Sequence, residues 1–353
     1  MASGFAHSFE IAGRRVGGGA PCYVIAEAGA NHNRDLGMAR ALIDVAADAG
    51  ADAVKFQVYS GKDLYSKKTA RFEYLDGVSD ESPQDLLEQI ALPRAWLGDL
   101  AAHATARAIA FFATPFDAEA VRELREVGVP AMKIASFELV DLGLIREVAD
   151  SGLPLILSTG MATYGEVEDA MAAAAQGGAG EIALLRCASL YPAPVHVMNL
   201  RAMTTLRTAF GVPAGLSDHS LGLAVATGAA ALGMDVLEKH FTLDRSLPGP
   251  DHPFALEPGE LRALVRAVHD VEAAIGHGRL EGPSDEESQE MYRLARRSII
   301  AAADIPAGTV IARAHLTVKR PGYGIAPKHL DVVVGRTARV DIEFDDIVTW
   351  DMV

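Results

Sequence analysis

Gly215-Leu216-Ser217-Asp218-His219-Ser220, then Leu237-Glu238-Lys239-His240-Phe241-Thr242-Leu243, then Gly249-Pro250-Asp251-His252 decide how the whole chain is read. The first two are apolar runs that each end in a polar cluster with a histidine, and a Gly/Ala-rich segment of helical length lies between them. Strands joined through a helix run parallel, so both ends open on one face of a sheet although 21 positions (240 − 219) separate the histidines. Two neutral imidazoles meeting there can ligate a divalent metal and leave coordination positions for substrate oxygen. The plainer alternative is two ordinary hydrogen-bonded histidines. Acids beside both favour the metal.

Outward from that pair the same pattern repeats. Strand-like runs fall at 22–27, 52–58, 108–113, 131–135, 154–158, 182–187, 212–217 and 235–240, with amphipathic segments at 36–49, 84–106, 117–127, 142–151, 165–176, 198–209, 220–232 and 257–276. Continuous apolar strands alternating with helices select α/β architecture, and eight such units fit a closed (β/α)8 TIM barrel better than an open sheet. No Gly-x-Gly-x-x-Gly turn follows the first strand, which removes the usual sign of a dinucleotide site. Ahead of the barrel, 8–17 alternates around Gly13 and predicts a short hairpin that plugs or precedes it. Past an acidic stretch at 277–292, short β-type runs at 297–302, 309–311, 316–320, 333–335, 338–341 and 347–350 are punctuated by Pro and Gly. The expected boundary is near 285: a barrel domain over 1–284, and a linker with a small β-rich module over 285–353.

The 353 residues carry 50% hydrophobic and 22% charged side chains, enough for a large core and unlike a disordered chain. A net charge of −15 repels nucleic-acid phosphates and anionic membranes, so an anionic substrate needs a local basic pocket. Cys22 and Cys187 lie far apart within apolar runs and read as reduced, buried thiols. Met1–Phe9 has no secretory pattern and no alanine-rich stretch reads as a membrane span, so a cytoplasmic protein is expected.

Catalytic groups of a barrel sit where its strands end. Those positions hold Glu27, Lys55, Gln57, Thr114, Lys133, Ser136, Glu138, Ser158, Ser189, Tyr191, Ser217, His219, Glu238 and His240. Lys55 and Lys133 are embedded in apolar runs, and a buried ammonium is costly without an anion. Ion pairs with Glu27, Glu138 or Glu238 would account for the charges. They would not account for the hydroxyls of Thr114, Ser136, Ser158 and Ser217 around them, which favour a phosphate or carboxylate pocket. A Schiff-base lysine is a third reading.

Taken together, Ile-Ala-Glu-Ala-Gly-Ala-Asn-His-Asn at 25–33, Val-Lys-Phe-Gln at 54–57, Ala-Thr-Pro-Phe-Asp at 113–117, Lys-Ile-Ala-Ser-Phe-Glu at 133–138, Leu-Ser-Thr-Gly-Met at 157–161, Tyr-Pro-Ala-Pro at 191–194, and the three motifs quoted first resemble the sialic acid synthase family. Val-Lys-Arg-Pro-Gly-Tyr-Gly-Ile at 318–325 resembles that family's carboxyl-terminal antifreeze-like (SAF) domain. The resemblance spans essentially the whole chain. It implies condensation of phosphoenolpyruvate with the open-chain aldehyde of an N-acylated hexose to a nine-carbon 2-keto acid and phosphate. It further implies manganese or magnesium on His219 and His240, and phosphoenolpyruvate on Lys55, Thr114, Lys133, Ser136, Ser158 and Ser217. Glu27 or Glu238 would handle water or a proton, and Gln57, Glu138, Ser189, Tyr191 and Asp251 would line the sugar site. Arg320 would reach the partner's barrel in a domain-swapped homodimer. Phe137 is more like pseudaminic acid and spore-coat synthases, whereas Gly249-Pro250-Asp251-His252 is more like neuraminate and legionaminate members, so the acceptor stays open. Other classes weighed are a different phosphoenolpyruvate-condensing enzyme, a non-catalytic carbohydrate-binding protein and an ice-binding tail. The four buried-site cations and imidazoles disfavour the second, and a short charged module acting as a lid disfavours the third.

Overall fold

The computed structural model describes residues 4–70, 82–287 and 289–353, and divides into two compact units, Met1–Gly276 and His277–Val353. In the first, β1 (Ser8–Ile11) and β2 (Arg14–Gly17) form an antiparallel hairpin. Its turn, Ala12-Gly13, has positive φ at both residues (50° and 78°), the geometry whose twist matches a two-residue hairpin. The eight strands that follow are β3 (Tyr23–Gly29), β4 (Ala53–Val58), β5 (Ala110–Pro115), β6 (Met132–Ile134), β7 (Leu155–Ser158), β8 (Ile182–Cys187), β9 (Ala214–Asp218) and β10 (Val236–His240). All are parallel, and β10 pairs back onto β3, closing the TIM barrel that the alternation predicts.

Each strand is almost wholly buried because its two faces meet the barrel interior and the helix layer. A side chain such as Phe56 or Ile25, both 0% exposed, contributes roughly 1.5–3 kcal/mol by leaving water. Polar caps start the helices: Asp35 receives the Met38 amide, Asp117 the Ala120 amide, and Thr163 with Glu166 makes a capping box. Left-handed Gly50, Gly128 and Gly211 end three of them. The helix expected over 84–106 is two, Pro83–Ile90 and Leu97–Ala106, because Pro93 bars helical geometry at the residue before it.

The hairpin does plug the barrel. Ala6 donates to the Gly180 carbonyl, His7 Nδ1 lies 2.6 Å from the Gly211 carbonyl, and Arg14 pairs with Asp52 at 2.5 Å. Gly180, Gly211 and Asp52 all stand just ahead of barrel strands, so the hairpin covers their amino ends, with Phe9, Ile11 and Val16 in the core. The carboxyl ends remain for chemistry.

Among the described residues of the second unit only 298–301 and 316–319 form a ladder, the antiparallel pair β11 (Ser298–Ala301) and β12 (Leu316–Lys319). Runs expected as strands at 309–311, 338–341 and 347–350 yield, within or beside them, isolated bridges Val310↔Thr337, Ile305↔Ile342 and Ile300↔Ile347. The run at 333–335 begins on the last residue of the helix Leu330–Val333. Pro and Gly every few residues prevent longer ladders. A separate core of Ile299, Ile305, Ile311, Leu316, Ile342 and Val348 holds the unit together. Part of the acidic stretch is helical at Gln289–Ala295; Ser288 within it lies outside the described residues.

Candidate active site

Alternate residues of a barrel strand face inward. On β3 that rule aims Glu27 into the barrel, on β4 Lys55 and Gln57, on β5 Thr114, on β6 Lys133, on β7 Ser158, and on β10 Glu238 and His240. Their contacts agree. Lys55 Nζ lies 2.9 Å from Glu27 Oε2 and donates to Thr114 Oγ1 at 2.9 Å, and Gln57 Nε2 donates to Glu27 Oε1 at 3.0 Å. Across the barrel Lys133 Nζ donates to Ser158 Oγ at 2.6 Å and to the Ile134 carbonyl at 3.1 Å. Glu238 sits between the two ammonium groups, 3.9 Å from Lys55 and 3.8 Å from Lys133, and accepts from Ser217 Oγ at 3.1 Å.

Two of the sequence alternatives thus coexist, since the lysines are ion-paired and also ringed by hydroxyls. Glu238 Oε2 is buried and accepts no hydrogen bond, its two ammonium neighbours standing 3.8 and 3.9 Å away. Burial is the largest influence on all four charges. It pushes Glu27 up to about 7, against the pull of Lys55 and with the help of Glu238, so this carboxyl exchanges its proton near neutrality. Burial also lowers Lys133. At Lys55 the facing Glu238 and Glu27 outweigh burial and keep the ammonium charged.

Two residues beyond Ser217 and Glu238 are the histidines, with ring centroids 5.4 Å apart. His219 Nδ1 lies 2.9 Å from the Ala188 carbonyl, which fixes the ring and leaves Nε2 as the free lone pair. Burial, then His219 and the lysines, holds His240 well below the ordinary histidine range; it is a neutral ligand. Its Nδ1 is buried without a hydrogen bond and lies 3.8 Å from Asp251 Oδ2. Among the described residues no group of three or more His, Cys, Asp or Glu side chains is placed to hold an ion. Two imidazoles with an orphaned nitrogen fit a divalent ion only if its other ligands are not from the protein.

Ser136, expected on phosphoenolpyruvate, and the remaining sugar-site candidates lie at the ends of β6 to β8 and on the loop after β10. Ser136 Oγ accepts from the Gly160 amide at 3.0 Å, while Ser189 Oγ and Glu138 Oε2 are buried without partners. A Cβ on Gly160 would stand 2.3 Å from Ser189 Oγ and 2.7 Å from Ser136 Oγ, so a side chain there would push both hydroxyls aside. Likewise a Cβ on Gly29, at φ 51°, would stand 2.7 Å from Asp251 Oδ2. The Tyr191 ring packs 4.3 Å from His219. Arg320 belongs to the second unit, one residue past β12, and is not among the groups the barrel itself brings together. Three buried groups beside the histidines have no role in the sequence reading: Cys187, whose Sγ is 3.8 Å from His219 Nδ1, and the outward pair Asp218 and Lys239. Lys239, between Glu238 and His240, lacks the apolar neighbours that make Lys55 conspicuous.

Glu138 supplies a test in pH. Burial, opposed by a backbone hydrogen bond and Lys133, raises it from an ordinary 4.5 to about 7. Its protonated form therefore favours the fold below about pH 4.5, and that contribution is lost as pH rises through 7. Glu138→Gln, which cannot ionise, is expected to raise Tm relative to the parent at pH 8 and to leave it nearly unchanged at pH 4.5. Equal Tm differences at both pH values would contradict a raised Glu138.

Residues 42–280 match the NeuB family and residues 296–353 the SAF domain. The chain is 39% identical over 329 residues to N,N'-diacetyllegionaminic acid synthase of Campylobacter jejuni, covering 92% of this chain and 98% of that one. It is 32% identical over 345 residues to N-acetylneuraminate-9-phosphate synthase of Homo sapiens, covering 97% and 95%. A solved structure of the N-acetylneuraminic acid synthetase of Leptospira borgpetersenii, in complex with citrate, superposes with a TM-score of 0.72 at 35% identity, covering 81% of this chain and 96% of that one. With a family match over more than half its length, a closed barrel and a SAF module behind it, the chain belongs to the NeuB family of synthases.

Proposed function

We propose that the protein is a nonulosonic acid synthase joining phosphoenolpyruvate to the aldehyde of an N-acylated hexose, either N-acetylmannosamine or a diacetamido trideoxyhexose. The observation that carries this reading is the pair of buried ammonium groups, each bonded to a hydroxyl, directly beneath two histidines in one barrel mouth. Lys55 with Thr114, and Lys133 with Ser158, grip the phosphate and carboxylate and so orient C3 of phosphoenolpyruvate toward the acceptor. A manganese or magnesium ion on His219 and His240 would supply Lewis-acid polarisation of the acceptor carbonyl. As the new bond joins C3 to the aldehyde carbon, the C2=C3 and carbonyl π bonds open and the aldehyde oxygen takes a proton to become a hydroxyl; water adds its oxygen at C2, and the C2–O bond to phosphate then breaks, releasing phosphate and leaving the 2-keto group. Glu27, poised near neutrality, or Glu238 beside it takes the proton from that water. Ser136 and Ser217 add hydroxyls to the phosphoenolpyruvate pocket, and Gln57, Glu138, Ser189, Tyr191 and Asp251 meet the hydroxyls and acyl amide of the sugar, the unpartnered Ser189 and Glu138 oxygens gaining the partners they lack.

The protein acts as a domain-swapped homodimer in which Arg320 completes the partner's sugar site. Phe137, Met161, Leu190 and Leu221, on loops after β6 to β9, are each at least half exposed and form apolar surface around the barrel mouth that a second copy would cover. Among the described residues no helix is long and apolar enough to cross a membrane.

Phosphate release measured with phosphoenolpyruvate and a panel of N-acetylmannosamine, its 6-phosphate and diacetamido trideoxyhexoses tests the reaction and names the acceptor. Release with none of them would overturn it. Arg320→Ala is expected to raise KM for the accepted sugar about ten-fold or more and leave KM for phosphoenolpyruvate within about two-fold, as for loss of one charged contact. Equal changes in both would remove Arg320 from the sugar site.

A further inference from the structure

Asp218 and Lys239 stand on the opposite side of their strands from the chemistry. Alternation turns Ser217 and His219 inward on one strand and Glu238 and His240 inward on the next, so Asp218 and Lys239 project outward toward the helix layer. The ladder sets Lys239 directly opposite Asp218. Lys239 Nζ lies 2.7 Å from Asp218 Oδ2 and donates to the Ser220 carbonyl at 2.7 Å. Asp218 Oδ1 in turn accepts from the Ser220 amide at 2.8 Å and the Ser220 hydroxyl at 2.7 Å. Both charged side chains are buried, 2% and 0% exposed.

The ladder between β9 and β10 ends at this pair. His219 already lies past β9, so no strand pairing between the two fixes its backbone against that of His240. The side chains take over where the backbone bonds stop. His219 is held on both flanks, by Asp218 before it and Ser220 after it, and both are tied to the residue that precedes His240. Stability alone gives little reason for such a pair, because an apolar pair of similar volume usually does as well or better in a protein interior.

We infer that Asp218, Ser220 and Lys239 form a positioning clamp that sets the spacing of the His219 and His240 imidazoles, and through it the affinity for a divalent cation. The clamp touches neither cation nor substrate. It rests on the proposed metal role of the two histidines, and the test separates the two ideas.

Mn2+ binding to the full-length protein, followed by the electron paramagnetic resonance signal of the free ion, is compared for the parent, Asp218→Asn, Lys239→Met, Asp218→Leu/Lys239→Met and Ser220→Ala, with Tm measured alongside in chelator. The single charge variants leave a buried charge unpaired and are expected to lose Tm. The apolar double variant should recover Tm, yet bind Mn2+ about 10- to 100-fold more weakly than the parent, the range seen when groups that orient metal ligands are removed. Ser220→Ala, which removes one bond of the clamp and little volume, should weaken binding by about three-fold or more with Tm nearly held. A clamp that served stability alone would give back Mn2+ affinity together with Tm in the double variant. Parent-like affinity, within about two-fold, in the double variant or, should that fail to fold, in Ser220→Ala overturns the clamp while leaving the metal role intact. A parent protein that binds no Mn2+ overturns both.

Discussion

Lys133→Met is expected to reduce kcat/KM for phosphoenolpyruvate by about 10³-fold while the barrel stays folded. Methionine nearly preserves the volume, and Glu238, 3.8 Å from Lys133, keeps Lys55 at 3.9 Å as a counter-charge, so the fold loses less than when Lys55 is removed from its 2.9 Å contact with Glu27. The substrate loses a charge-assisted donor in a water-poor site, where removing one such group typically costs about 10²–10³ in rate. Lys55→Met should cost activity too, but with a different signature. Lys55 sits 2.9 Å from the buried Glu27, and stripping the partner from a buried carboxylate costs about 3–5 kcal/mol. Steady-state kinetics with Tm on both variants separates the two cases. If Lys133→Met lost activity only in proportion to lost folded protein, its part in anion binding would be gone.

Exhaustive chelation is expected to lower phosphate release by about 10³-fold or more, with manganese or magnesium restoring it, since Lewis-acid assistance is worth several kcal/mol and each 1.36 kcal/mol is ten-fold in rate. His240→Ala should show the same loss and no recovery on adding metal. His240 is the informative position because its Nδ1 is buried and, among the described residues, without a hydrogen bond. Activity that survives chelation would count against a metal role for this pair.

The barrel was legible because parallel strands buried on both faces read as unbroken apolar runs, and a lysine inside such a run, as in Val54-Lys55-Phe56, is conspicuous. What alternation cannot supply is register. Glu27, Glu138 and Glu238 were equal candidates to pair with Lys55, and only the ladder Glu27↔Lys55 singles out the first. The same gap hid Asp218 and Lys239, visible in sequence as neighbours of histidines but not as a pair opposite each other. Helix continuity through 84–106 failed at one residue, Pro93, against an otherwise amphipathic pattern. In the second unit, runs of three or four residues between turns have too few positions for periodicity to tell a ladder from a single bridge.

The packed strand interior, covered below by the hairpin with Ile11 and Val16 fully buried, leaves the carboxyl-end mouth as the way in. Lys55, Lys133 and Glu238 lie at its floor, and His219 and His240 one layer nearer the entrance. A reactant bound at the floor has to go in before anything settles over it, and it cannot back out while the upper layer is occupied. Under the proposed reaction phosphoenolpyruvate is therefore expected to bind before the sugar, and inhibition patterns that show random order would contradict this layering.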